Sequence, residues 1–215
     1  MSQRRYAVSE IAGPTLQGEG PHAGSPAVIV RLAGCNAWDG QSDHRAASAC
    51  PWCDTDFRPR EQLDAPAIRA RIETLLENTA AQHHGCILTG GEPLLQADAP
   101  LLAMLAATCA WVDVETNGTR PSPQAPANVQ VICSPKTIPA APVVVDPDCW
   151  KILIPGGAAF LERALDSGRP VWVQPEWADA PDGPRYREHL ARCVELCHAH
   201  GCRLSLQLHK YLGLA

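Results

Sequence analysis

No stretch of the 215-residue chain approaches the roughly 18 consecutive apolar residues that a membrane span requires, so no membrane partner is expected. The opening residues, MSQRRYAVSEIAG, carry two arginines but no apolar run or cleavage-site pattern behind them. A secretory signal is therefore not expected, and the compartment is read as a reducing, cytoplasmic one. A basic footprint is missing as well: the formal charge is -5, which argues against a nucleic-acid partner and leaves small molecules as the expected ligands. Internal repeats are absent, as is any low-complexity stretch long enough to be a linker. Residues 1–215 are accordingly read as a single domain, within the usual span of about 100 to 250 residues. A hydrophobic content of 46% and a charged content of 19% are those of an ordinary globular protein.

What is present in quantity is cysteine and proline. Ten cysteines in a chain without a signal are read as core residues, metal ligands or catalytic groups, not as a disulfide framework. The 20 prolines fall mostly in loops, where they restrict the unfolded chain. Short β-branched-rich runs at 27–34, 86–88, 111–115, 129–133, 150–155, 171–175 and 203–208 predict strands. Helical patterns lie between several of them, at 65–81, 99–107, 158–166 and 184–200, the last ended by Gly201 as a C′ glycine. Strand, helix, strand is the rhythm of a parallel sheet. The Pro-rich crossover from Arg120 to Asn128 is too short for a full helix, which predicts an incomplete barrel.

Polar and Gly-rich residues follow each strand: the cysteine loop after the run at 27–34, then TGGEP, ETNGT, SPK, PEW and HKY after later ones. Parallel α/β folds gather their active sites at these C-terminal strand ends, where the loops converge over one mouth, so a barrel-like enzyme is expected.

The cysteines divide by position. Cys86, Cys133, Cys109 and Cys149 lie in or beside strands and read as packing, because a free cysteine behaves as a small hydrophobe. Cys193 and Cys197, four apart on the last helix, share a face with Leu190 and Val194 and read as core. A zinc site from Cys193, Cys197, His198, His200 and Cys202 has the wrong spacing for knuckle-like ligand pairs. Cys35, Cys50 and Cys53 instead flank a loop rich in Asp, Ser, Gly and Asn, where no core is on offer. A Cys-x2-Cys hairpin pre-positions two sulfurs at one metal centre, and Cys35 supplies a third. Structural zinc would want a fourth ligand, for which His44 is available; a 4Fe-4S cluster with three ligands leaves one iron open.

With TGGEP at Thr89–Pro93, where glycine permits close backbone approach and Glu92 offers an acceptor to an ammonium group, these residues resemble the radical S-adenosylmethionine superfamily. TLQGEG at 15–20, Arg31, CDT at 53–55, SPK at 134–136, QPEW at 174–177 and the terminal QLHKYLGLA are similar to the signatures of the 7-carboxy-7-deazaguanine synthase family. The departure is the fourteen-residue gap between Cys35 and Cys50, where the superfamily usually has three residues; 36–49 is read as an insertion in the cluster loop.

The resemblance implies a modified, incomplete TIM-like (β/α)6 barrel with its active site at the C-terminal ends of the parallel strands. It also implies conversion of 6-carboxy-5,6,7,8-tetrahydropterin to 7-carboxy-7-deazaguanine with loss of ammonia, by a radical ring contraction in queuosine biosynthesis. The reduced cluster, held by Cys35, Cys50 and Cys53, would cleave S-adenosylmethionine to a 5′-deoxyadenosyl radical that takes the C6 hydrogen. Cofactor contacts are implied for Trp52 and Asp54, for Gly91 and Glu92, for Ser134, Pro135 and Lys136, and for Gln174, Pro175, Glu176 and Trp177. Substrate contacts are implied for Leu16, Gln17, Gly18 and Glu19, for Arg31 and Thr89, and for His209 and Ala215. Arg31 suits a carboxylate because its planar fork makes two parallel bonds. Thr55 is implied as a Mg2+ ligand, consistent with the ion's preference for few protein oxygens. An electron donor such as flavodoxin or ferredoxin and a homodimer are implied too. The competing readings are another radical enzyme of the superfamily, such as an activase for a glycyl-radical partner, and a zinc-binding interaction module.

Overall fold

The computed structural model describes residues 4–138, 143–177 and 180–214. Nine strands form one sheet: β1 (Arg5–Leu16), β2 (Pro26–Leu32), β3 (Glu61–Asp64), β4 (Gly85–Gly90), β5 (Val112–Thr116), β6 (Val129–Cys133), β7 (Cys149–Ile154), β8 (Val171–Pro175) and β9 (Arg203–Leu204). Their spatial order is β3-β1-β2-β4-β5-β6-β7-β8-β9. From β2 to β9 every pairing is parallel, whereas β1 runs antiparallel to both β2 and β3. The order does not return on itself, so the barrel is open, with six parallel strands of full length and β9 as a two-residue stub. The α/β architecture expected of an incomplete barrel is what forms.

The helices are α1 (Ala65–Leu76), α2 (Ala99–Thr108), α3 (Leu161–Asp166), α4 (Pro184–His200) and α5 (Leu208–Leu212). Asp64 and Asp98 cap α1 and α2 by accepting from Ala67 N and Leu101 N, satisfying donors that the first helical turn leaves unpaired. Gly201 closes α4 in the left-handed region at φ 69°. No helix joins β5 to β6, in keeping with the proline content of that crossover. None of the helices among the described residues is long and apolar enough to cross a membrane.

Several elements depart from expectation. β1 and β3 were not anticipated, α1 stops at Leu76 rather than at 81, and the 158–166 helix begins as a 3-10 turn at Ala158–Phe160. The run at 203–208 pairs for two residues only and then becomes α5. Gln17 and Glu19 consequently lie on the turn between two antiparallel strands.

Side-chain alternation on the parallel strands separates two environments. One set packs against the helices: Val28, Val30, Leu88, Val112 and Val114 with α1 and α2, and Trp150, Ile152, Val171 and Val173 with Cys193 and Leu196 of α4. The alternate set points into the barrel. Its lower layer is an apolar plug of Ile132, Cys149 and Trp172. Above it the set turns polar, with Arg31 beside Thr89 and Leu153 beside Gln174 in register, and with Glu115 and Lys151 on β5 and β7. A strand such as CWKILI therefore buries both faces, but only one of them in hydrocarbon.

Candidate active site

Two adjoining cavities open at the C-terminal ends of the parallel strands. The first, of about 220 Å³, is lined by Cys35, Cys50 and Cys53 with Trp52, Gly91, Ser134, Lys136, Gln174, Glu176 and Trp177. The second, of about 230 Å³, is lined by Leu16, Gln17, Gly18, Arg31 and His209. Glu19, Asp54, Thr55, Thr89, Glu115, Lys151 and Gln207 border both. The residues singled out as cofactor contacts thus gather mainly in one cavity, and those singled out as substrate contacts in its neighbour.

The cysteine loop is held against the glycine motif. A Cβ at Gly91 would lie 2.2 Å from the Gly34 carbonyl oxygen and 2.6 Å from Cys35 Cβ, so only glycine permits this approach. Glu92 N donates to Gly34 O at 2.9 Å, fixing the end of β2 to the turn after β4. The Glu92 side chain, expected as an ammonium acceptor, has partners within the chain. It is fully buried, borders neither cavity, and accepts from Thr116 Oγ1, Asn117 N and Leu94 N at 2.7 to 2.9 Å. It thereby holds the ETN turn. Pro135 and Pro175 are buried and line neither cavity, and Ala215 lies outside the described residues.

The insertion at 36–49 builds a small wall of its own. Trp38 is buried edge-on against Phe57 at 5.5 Å, with the Arg45 guanidinium 4.7 Å over its ring. Asn36 bridges Asn117 and Thr119 at 2.8 Å each. His44, the possible fourth zinc ligand, pairs with Asp39 at 2.6 Å on the exposed side and does not border the cysteine cavity. Of the C-terminal cysteines, Cys193 and Cys202 belong to the hydrophobic cluster under α4, and Cys197 packs against it.

A residue that sequence reasoning passed over dominates the electrostatics. Lys151 Nζ lies 2.6 Å from both Glu19 and Glu115, and its side chain is only 8% exposed. One cation between two buried acids favours a single ionised carboxylate. Burial alone would raise Glu19, but the charge and hydrogen bond of Lys151, helped by Gln207 at 2.9 Å, bring it down to about 2. Burial pushes Glu115 up, only partly offset by Lys151 and reinforced by Glu19. Lys151 itself is raised: burial opposes its charge, and the two acids more than compensate. The signal was available, since a lysine between Trp150 and Ile152 must find a buried partner.

Arg31 Nε donates to Glu10 at 3.2 Å, while its terminal nitrogens have no partner among the described residues. Gln174 is oriented by Ser205, whose Oγ donates to its Oε1 at 2.7 Å. Lys136 Nζ donates to Ser134 O and Oγ at 2.8 and 2.9 Å, and burial lowers its pKa. The C-terminal segment closes the second cavity. Leu208 N donates to Gly18 O at 3.0 Å, and a Cβ on Gly18 would meet His209 Nδ1 at 2.2 Å. Lys210 reaches across to Asp54 and lies 5.0 Å over the Trp177 ring.

No family model matches the chain. Curated relatives do. A 7-carboxy-7-deazaguanine synthase of Bordetella pertussis is 39% identical, covering 97% of this chain and 99% of the relative. That of Caulobacter vibrioides is 41% identical with the same coverage. The chain belongs to the 7-carboxy-7-deazaguanine synthase family. The crystal structure of QueE from Escherichia coli is similar too, with a TM-score of 0.73 and 25% identity over 95% of each chain. Membership makes the chain a radical S-adenosylmethionine lyase and sets aside the activase and zinc-module readings.

The residues of the first cavity fit the 4Fe-4S cluster and S-adenosylmethionine that such a synthase carries. Among the described residues that line it, the only thiols are the three of the loop. Cys50 and Cys53 share a hydrogen bond, which with burial holds Cys50 high, while the same bond and those from Thr55 bring Cys53 down. Trp52 Nε1 is buried beside the cysteines with no partner among the described residues, a donor left for a bound group.

Proposed function

We propose that this chain converts 6-carboxy-5,6,7,8-tetrahydropterin to 7-carboxy-7-deazaguanine with loss of ammonia, one step of 7-deazapurine biosynthesis. The observation that carries the reading is the Glu19–Lys151–Glu115 group beside Arg31, at the border of the cysteine cavity. A fused ring with amide and amine edges and a carboxylate matches that lining. Arg31 would take the carboxylate through its terminal nitrogens. Glu19, ionised, would accept from ring N–H groups, and Glu115, held high, would donate to or accept from the ring according to its proton. Thr89 would face the substrate, with His209 and the Gly18 carbonyl region closing over it.

When bound, the cluster and S-adenosylmethionine supply a carbon radical by one-electron chemistry. Cys35, Cys50 and Cys53 would hold the cluster. Gly91, Ser134, Lys136, Gln174, Glu176 and Trp177 would hold S-adenosylmethionine next to the substrate, so that positioning and exclusion of water are the protein's part. Thr55, which borders both cavities, would ligate Mg2+ together with substrate oxygens. The single sheet running from residue 5 to residue 204 supports one catalytic domain. A cytoplasmic homodimer drawing electrons from a flavodoxin- or ferredoxin-like donor completes the proposal.

The test is anaerobic turnover. Reconstituted, reduced protein with S-adenosylmethionine, Mg2+ and the carboxytetrahydropterin should yield 7-carboxy-7-deazaguanine by mass analysis. 5′-Deoxyadenosine without that product would defeat the substrate assignment.

A further inference from the structure

Below the polar layer, a fully buried carboxylate on β5, Asp113, links Gln17, which lines the second cavity, to His22. Its Oδ2 accepts from Gln17 Nε2 at 3.1 Å, and its Oδ1 meets His22 Nδ1 at 2.8 Å. Facing a carboxylate, His22 carries its proton on Nδ1. The ring of His22 stacks on Trp111 at 4.1 Å with planes 15° apart, which fixes that end of the chain.

The Gln17 side chain, only 3% exposed, is used at both ends. Because Asp113 engages the amide nitrogen, Oε1 is turned toward the backbone, where it accepts from Glu19 N at 3.3 Å. The main chain of the turn is pinned as well, by Gln17 N to Ser25 O and Gly24 N to Gln17 O, both 2.8 Å. Glu19 then carries its carboxylate into the cavity, to Lys151 and Gln207. The amide of Gln17 thus has a partner within the protein at each end, while the residue also lines the second cavity.

We infer that Asp113 is a positioning residue: by fixing the amide of Gln17 it sets the Gln17–Glu19 turn, and with it where Glu19 meets the substrate. The inference rests on the proposed function for the identity of that substrate. Removal of the carboxylate leaves the buried amide of Gln17 without its acceptor and the half-buried ring of His22 without its partner, which releases the amide of Gln17. Asparagine preserves the device, since its Oδ1 still accepts from Gln17 while its amide faces His22, whose ring can move its proton to Nε2.

Two measurements on the reconstituted protein test this. In the absence of substrate, Asp113→Ala should speed hydrogen exchange at the Glu19 amide about tenfold, Gln17→Ala should do the same, and Asp113→Asn should stay within about threefold of wild type. In anaerobic titration without reductant, Asp113→Ala should weaken binding of the carboxytetrahydropterin about tenfold and leave that of S-adenosylmethionine unchanged. The Asp113→Ala, Gln17→Ala double variant should bind it no more weakly than Gln17→Ala. Unchanged exchange at Glu19 in folded Gln17→Ala, or additive losses in the double variant, overturns the inference; should Asp113→Ala not fold, Gln17→Ala and Asp113→Asn decide it. Wild-type protein that binds no pterin, yet shows the expected exchange pattern, defeats the substrate assignment and leaves the positioning role standing.

Discussion

Lys151 shows how much a single side chain settles in this molecule. It neutralises one of two acids that burial would otherwise drive neutral, and its removal leaves Glu19 and Glu115 facing each other. Breaking a buried ion pair by deleting one partner typically costs about 3 to 5 kcal/mol. Lys151→Met should lose about that much in urea unfolding. Adding Glu19→Gln and Glu115→Gln should recover most of the stability while pterin binding stays lost; recovery of both would make the group merely structural. Acid should report on the same cluster. Glu19 sits at about 2 in the folded chain against 4.5 for an ordinary glutamate, so the unfolded chain binds the extra proton first. Its contribution is present above about pH 4.5 and is lost as the pH falls toward 2. The stability gap between wild type and Glu19→Gln should therefore narrow over that interval in unfolding curves; a constant gap would contradict the depressed value.

At the scale of elements, the cysteine loop is more than a tether for three sulfurs. Trp38 and Phe57 give residues 36–49 an aromatic wall that also borders the cavity. Trp38→Ala removes a buried ring pair worth about 1 kcal/mol beyond its area. It should open the loop locally, with tryptic cleavage after Arg45 about tenfold faster and the urea midpoint of the sheet little changed. Equal cleavage rates would show that the wall does not hold the insertion. The sequence made the three cysteines, the glycine turn and six parallel strands legible, because each rests on a local pattern. It hid β1, whose Tyr6 and Val8 alternation is interrupted by Gly13 and Pro14, and β3, whose four residues are a strand only through pairing with β1. It overstated the run at 203–208, since an edge segment with one neighbour has little to hold it extended. The partners of Glu92 and Gln17 were not legible for one reason: a buried polar group pairs with whatever the fold brings beside it, and sequence spacing does not reveal what that is.

Across the whole molecule, the two large hydrophobic clusters lie on the helix-facing side of the sheet and include none of the three loop cysteines. The cluster loop is thus an attachment to a fold that stands without it, unlike small domains that fold only around their metal. Anaerobic chelation of the iron should leave the far-UV circular dichroism intact and the thermal midpoint within about 3 °C, while protease sensitivity rises between Cys35 and Phe57. Collapse of the midpoint would mean that the cluster organises the sheet.

The second cavity is shut by partners far apart along the chain: Gln207 meets Glu19 across 188 residues, and Lys210 meets Asp54 across 156. During translation the cysteine loop emerges early, at about 5 to 20 residues per second, and these closing residues follow after most of the sheet has been made. A growing chain therefore carries its three loop cysteines well before the residues that close the second cavity have been made. By chain order alone, the loop that carries the thiols is complete while the wall that closes the second cavity is still to come.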